Sequence, residues 1–129
     1  MDKIAALLFC VICCSFTKPN FDLTFLYQKW ELVRCKNDNG TPKLTLKPTK
    51  ELCYNYGFQF GKDGTFSICR VITIVPFGMP DYFETVEGTW EMNSDSIIGV
   101  SYRSDGYSYH HTIELETVSA HELVFRLYE

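Results

Sequence analysis

The side chains best suited to chemistry lie near the C-terminal end, where tyrosines alternate with other residues before two adjacent histidines. Tyr109 and His111 are two positions apart, so a β-strand here would put both on one face and His110 on the other. The two histidines therefore cannot chelate one metal ion from a straight strand, and we predict no metal site. His111 could orient the polar group of a ligand, or hydrogen-bond to a neighbour inside a core.

Motifs of catalysis are missing from the sequence. There is no Gly-x-Ser-x-Gly elbow, no His-Glu-x-x-His pair and no glycine-rich phosphate loop. Asp63 and Asp105 lie in predicted turns, where a carboxylate caps backbone amides. Cys69 carries no sequence sign of an activated thiol. We therefore expect a non-enzymatic protein with no catalytic residues and no cofactor.

Length and composition limit the type of protein. The chain has 129 residues, 46% of them hydrophobic and 16% aromatic, which suits one globular domain with a true core. So many aromatic residues favour a pleated sheet or an apolar cavity over a helical bundle. The net charge of -4, without a basic stripe, argues against nucleic acid as a partner.

The first residues read as an export signal rather than as part of the fold. Lys3 precedes an apolar run from Ile4 to Ile12, which is long enough for a signal peptide and too short for a membrane span. We assign residues 1–14 to the signal, 15–25 to a linker and 26–129 to the domain. The mature protein is expected in the periplasm, the outer envelope or outside the cell.

Two kinds of processing fit the end of this signal. Ordinary cleavage would release the chain, whereas Val11 to Cys14 is similar to a bacterial lipobox with Cys14 as the lipidated residue. A lipid on Cys14 would be the protein's only link to a membrane. We otherwise expect a monomer.

Three of the six cysteines lie after the signal, at Cys35, Cys53 and Cys69. In an oxidising compartment one pair forms a disulfide bond and one thiol stays unpaired. The preferred pairing is Cys35 with Cys53, at facing ends of adjacent predicted strands. The alternative is Cys53 with Cys69.

Alternation of apolar and polar residues predicts strands along most of the domain. In the clearest hairpin, Gly64 takes the left-handed position of a turn, so that Phe60 faces Phe66 and Phe58 faces Ile68. Similar hairpins pair Trp90 with Val100, Tyr102 with Tyr107, and Ile113 with Phe125. Lys36 to Lys50 is predicted to be a linker or long loop, because it contains Asn-Gly and two prolines.

These hairpins predict an all-β fold, an antiparallel up-and-down meander of seven or eight strands. One face of the meander stays apolar throughout and needs cover, and no helical pattern is available to supply it. The sheet is therefore expected to close into a small barrel. The apolar loop from Val75 to Pro80 could cover an opening of that barrel.

Three motifs in this order resemble small secreted lipocalin-like domains of bacterial envelope proteins, within the calycin group. They are LYQKWEL at residues 26–32, FQFGKDGTF at 58–66 and GTW at 88–90. Gln28 stands where that family has glycine. The resemblance covers residues 26–129 and implies a lipocalin-like barrel in which Trp30, Gly64 and Gly88 have structural roles, with Trp30 on the barrel floor.

An eight-stranded barrel either fills with its own side chains or holds one small ligand. We expect the second: an exported, non-enzymatic binding module for a hydrophobic small molecule. The alternative is an interaction protein of the envelope or the extracellular space, with a solid core and with loops that bind a protein or glycan. The residues expected to line the pocket are Tyr56, Phe58, Phe66, Trp90, Val100, Tyr102, Tyr109, His111 and Phe125.

Overall fold

The computed structural model describes residues 21–52, 56–71 and 83–129. A short 3-10 helix, Leu23–Leu26, precedes eight strands. The strands are β1 Lys29–Asp38, β2 Thr41–Pro48, β3 Gly57–Phe60, β4 Thr65–Val71, β5 Phe83–Met92, β6 Ile97–Ser104, β7 Tyr107–Val118 and β8 Leu123–Tyr128. Cys14 and the other residues assigned to the signal lie outside the described part of the chain, as does the segment from Val75 to Pro80.

All eight strands form one closed antiparallel barrel in the order β1-β2-β8-β7-β6-β5-β4-β3. Strands β3 to β8 follow one another as an up-and-down meander, and the β1–β2 hairpin closes the ring by pairing β1 with β3 and β2 with β8. The predicted fold class is confirmed. Closure gives every strand two neighbours and leaves the apolar face on the inside.

The register agrees with the sequence pattern in the first two predicted hairpins. Phe60 pairs with Phe66 across the β3–β4 turn, and Trp90 pairs with Val100 between β5 and β6. Gly64 has φ 90°, which is the left-handed conformation predicted for it. The side chain of Asp63 accepts hydrogen bonds from the backbone N–H and the hydroxyl of Thr65.

The register of the last two hairpins differs from the prediction by two residues. Tyr102 pairs with Tyr109 rather than with Tyr107, because the strands continue to a two-residue turn, Asp105 (φ 54°) and Gly106 (φ 81°). Positive φ at both positions suits the Asp-Gly turn whose twist matches the two strands. Phe125 pairs with Leu115 rather than with Ile113, next to a bulge between Leu115 and Thr117. A shift of two residues keeps each side chain on its predicted face.

The prediction that Lys36 to Lys50 is a linker or long loop is wrong. This stretch holds the end of β1 and all of β2, joined by a tight turn at Asn39 (φ 54°) and Gly40 (φ 84°). Its two buried residues, Leu44 and Leu46, alternate as expected for a half-buried strand. Pro42 and Pro48 lie near the ends of β2, where a missing N–H is best tolerated.

One end of the barrel, which we call the lower end, carries the 3-10 helix and the turns at residues 61–64 and 93–96. It is sealed by fully buried Leu26 and Trp30. The indole Nε1 of Trp30 donates to the carbonyl of Leu26 at 3.0 Å. Phe21 and Leu23 also pack against the core, so the packed domain starts inside the segment predicted as a linker.

The opposite end, the upper end, carries the turns at Asn39–Gly40 and Asp105–Gly106 and the upper ends of β4 and β5. No helix in the described part of the chain is long and apolar enough to cross a membrane.

Candidate functional site

The structure divides the residues predicted to line a pocket into four groups, three of which are at least partly buried. Phe58, Phe66, Val100 and Phe125 are buried in the shared core, and Tyr102 is buried at its upper side. Trp90 is partly buried at the lower end, where its Nε1 donates to the carbonyl of Gly61 at 2.8 Å. Tyr109 and His111 are partly buried and lie closer to the upper end.

Tyr56 does not line the interior. It is 44% exposed and packs edge-on against Phe83, with ring centroids 5.6 Å apart. It precedes the first residue of β3 and therefore lies at the upper rim, above the part of β3 that faces the core.

Aromatic rings fill the middle of the barrel. Phe58 contacts both Phe66, at 6.0 Å between centroids, and Phe125, at 5.6 Å. Phe66 in turn contacts Tyr102 at 6.4 Å, although β5 lies between their strands. Gly88 allows this contact, because it pairs with both residues and has no side chain.

Above this layer, residues on the inward face stay partly exposed. Ile68, Val86 and Leu127 pack against the core but are not fully buried. Each lies two positions nearer the upper end than a core-facing residue of its own strand. The pairs are Ile68 above Phe66, Val86 above Gly88, and Leu127 above Phe125. These three residues are therefore less buried than Phe66 and Phe125 in the layer below them.

Three aromatic rings, stacked or tilted on one another, line one wall of this upper half. Tyr102 and Tyr109 lie 5.2 Å apart at an interplanar angle of 19°, and Tyr109 and His111 lie 6.5 Å apart, also at 19°. Tyr102 and His111 are 5.6 Å apart at 37°. We call Tyr102, Tyr109 and His111 the ring wall.

A hydrogen bond of 3.0 Å joins the Tyr102 hydroxyl to Nε2 of His111. Burial lowers the pKa of His111 below its ordinary value of 6.5, with His110 adding to the effect and Glu129 opposing it. Burial also raises the pKa of Tyr102 above 10.0, while Arg70 opposes this and Tyr109 adds to it. Tyr102 and His111 are therefore both neutral at neutral pH. Nδ1 of His111 is buried and has no hydrogen-bond partner among the described residues.

Arg70 is a residue of this region that the sequence interpretation missed. It follows Phe66 and Ile68 at the same two-residue period on β4, so it shares their inward face. Its guanidinium lies 3.5 Å from a Glu84 carboxylate oxygen and 3.4 Å from one of Asp105. The signal was in the sequence: a cation on an apolar strand face needs a partner if it is buried.

The preferred disulfide, Cys35 with Cys53, is wrong. Cys35 is free and exposed, because the bulge between Leu32 and Arg34 places it opposite Leu44 of β2, beyond the pairing of β1 with β3. Cys69 is disulfide-bonded and fully buried. Cys53, its partner in the alternative pairing, lies outside the described residues.

The outer wall carries a second feature that the sequence did not reveal. Ser101 Oγ and His110 Nδ1 lie 2.8 Å apart in a concavity on strands β5 to β7, beside Gly99 and Thr112. The pair is a directly opposed cross-strand pair, and both side chains contact solvent. Such a pair stabilises a sheet, and within the described residues no carboxylate bonds to this histidine to orient it as a general base.

No group of three or more histidine, cysteine, aspartate or glutamate side chains in the described ranges is arranged to hold a metal ion. Comparisons of the chain with protein-family models, with curated proteins and with solved structures found no match.

Proposed function

We propose that this chain is an exported, lipocalin-like binding module that takes one hydrophobic small molecule into the upper half of its barrel. The observation that supports this most is the contrast along the barrel axis. The lower end is closed by Leu26 and Trp30, whereas inward-facing Val86, Leu127 and Tyr109 keep part of their surface exposed. A cup that is sealed below and apolar on its walls suits a small apolar ligand.

Membership of the calycin group is part of the same proposal. It is supported by the three sequence motifs together with the eight-stranded closed barrel. Export, with or without a lipid on Cys14, is supported by the apolar N-terminal run and by the disulfide at Cys69, since disulfides persist in oxidising compartments.

The test places a large side chain inside the upper half and a matched one outside it. Val86→Trp would fill the space above Gly88, while Glu87→Trp changes the next residue, which is exposed on the outer face. The probes are the neutral fluorophore prodan and the fluorescent fatty acid parinaric acid. We expect saturable binding of at least one probe to the unsubstituted protein and to Glu87→Trp, and loss of that binding in Val86→Trp.

Two results would overturn the proposal. One is that neither probe saturates on the unsubstituted protein. The other is that Val86→Trp, with a melting transition like that of Glu87→Trp, binds as tightly as the control. Either result would favour an interaction protein with a solid core.

A further inference from the structure

We propose that the ligand is a planar, uncharged aromatic molecule that stacks on the ring wall, rather than an acyl chain with an anionic head. This inference rests on the proposed function, because it names the chemical class of molecule that the upper half of the barrel accepts. Three independent features of the ring wall and its surroundings carry it.

The first feature is the shape of the wall. Tyr109 is stacked at 19° on both Tyr102 and His111, while Tyr102 and His111 are tilted at 37° to each other. Phe66 lies below, tilted at 36° to Tyr102, so none of these four contacts is edge-to-face. Aromatic rings prefer an offset-stacked or edge-to-face aromatic partner, and an acyl chain has no ring with which to make either contact.

The second feature is the charge around the wall. The inward-facing cation Arg70 is already matched by two carboxylates, those of Glu84 and Asp105. His111 is kept neutral by burial. An anionic head group would therefore find no unpaired cation on the inward face of the described strands, and burying it there would be costly.

The third feature is an unused polar group. The hydroxyl of Tyr102 is taken by His111, but the hydroxyl of Tyr109 forms no hydrogen bond within the described part of the chain, and Tyr109 is partly exposed. This hydroxyl is therefore free to form a hydrogen bond with a molecule outside the chain. A carbonyl on the ligand, in the plane of its rings, would accept this hydrogen bond.

The experiment uses prodan, which is neutral and planar and has one carbonyl, with parinaric acid as the anionic acyl probe and oleyl alcohol as a neutral acyl competitor. We expect prodan to bind at least tenfold more tightly than parinaric acid, and oleyl alcohol not to displace it. Tyr109→Phe keeps the ring and removes the hydroxyl, and should weaken prodan binding about threefold to tenfold. Tyr109→Leu removes the ring too and should weaken it further, by about as much again.

Tyr128→Leu is the matched control, because Tyr128 is an exposed tyrosine on the outer face of β8, and it should leave the affinity for prodan unchanged. The inference fails if parinaric acid or oleyl alcohol binds as tightly as prodan and Val86→Trp abolishes that binding. It also fails if Tyr109→Leu binds prodan with unchanged affinity. Those results would leave the proposed binding function standing. Failure of every probe to bind would instead remove the proposed function itself.

Discussion

Phe66 on β4 and Tyr102 on β6 touch across an intervening strand, with ring centroids 6.4 Å apart. Gly88 on β5 lies between them in the same row of paired residues. Because this position has no side chain, the rings of the core and the ring wall form one continuous surface from Phe58 to Tyr109. The second tryptophan motif, Gly-Thr-Trp, thus contributes its glycine to the filled middle layer and its Trp90 to the lower end.

Gly88→Ala should lower the free energy of unfolding by about 1–3 kcal/mol, the usual cost of overpacking a tight site. A methyl group there would overlap the carbonyl oxygen of Ser101 and lie 2.7 Å from the Cβ of Tyr102. Gly99→Ala is the control on the neighbouring strand, where the three atoms nearest the methyl group would all belong to the side chain of Asn93, the closest at 3.0 Å. Urea unfolding measures both variants. Equal effects of the two substitutions would contradict this role of Gly88.

Trp30→Ala should lower the free energy of unfolding by about 3–5 kcal/mol, as expected for removal of a large buried aromatic side chain. It also leaves the carbonyl of Leu26 without its indole donor. Trp90→Ala should cost less, because Trp90 is only partly buried. Chemical denaturation monitored by circular dichroism gives both values. A loss below about 1 kcal/mol for Trp30→Ala would show that the lower end is not sealed by this residue.

Acid should destabilise the protein through His111. Its pKa in the folded state is lowered from 6.5 by burial, so the unfolded state binds the proton more readily. The stability contributed by the neutral ring is therefore complete above about pH 6.5 and is lost as the pH falls from there through the folded pKa. Thermal melts at a series of pH values, together with an NMR titration of the His111 ring, measure this effect.

His111→Gln should reduce that pH dependence, whereas His110→Gln should retain most of it, because His110 is exposed. A ring that titrates at or above 6.5 in the folded protein would show that His111 is not buried against the ring wall.

The cysteines give a covalent test of the register. Cys35→Ser should change stability by less than about 0.5 kcal/mol, since its thiol is free and exposed. Cys69→Ser should cost about 2–4 kcal/mol, the usual contribution of a disulfide bond. Peptide mapping of the oxidised protein without prior reduction should recover Cys35 as a free thiol. Recovery of Cys35 in a disulfide bond would contradict the placement of β1.

The sequence was sufficient for the architecture because side-chain parity survives small errors of register. Phe58, Phe66, Val100 and Phe125 were all assigned to one shared interior, and all are buried there. Even the two hairpins whose register is off by two residues keep these side chains on the inside. Alternation therefore predicts which face is buried, whereas turn length decides which residues are opposite each other.

What the sequence could not supply depended on contacts between distant strands. Strand β2 was not predicted because it contains two prolines, although Leu44 and Leu46 alternate as in a strand and Asn39-Gly40 is a strong turn signal. Because β2 pairs with this part of β1, Cys35 lies opposite Leu44 and not at the facing end of the next predicted strand. Trp90 and His111 both pair with Val100, on β5 and β7. The tilt of the strands sets how high each of them lies in the barrel, and the sequence does not give that tilt, so it could not assign them to opposite ends.

The most direct test of the central claim is a crystal structure of the protein grown with saturating prodan. We predict electron density for one molecule in the upper half, parallel to the ring of Tyr109 and bounded by Val86 and Leu127, with its carbonyl within hydrogen-bond distance of the Tyr109 hydroxyl. Density for prodan only on the outer wall, with the upper half filled by side chains, would contradict the account.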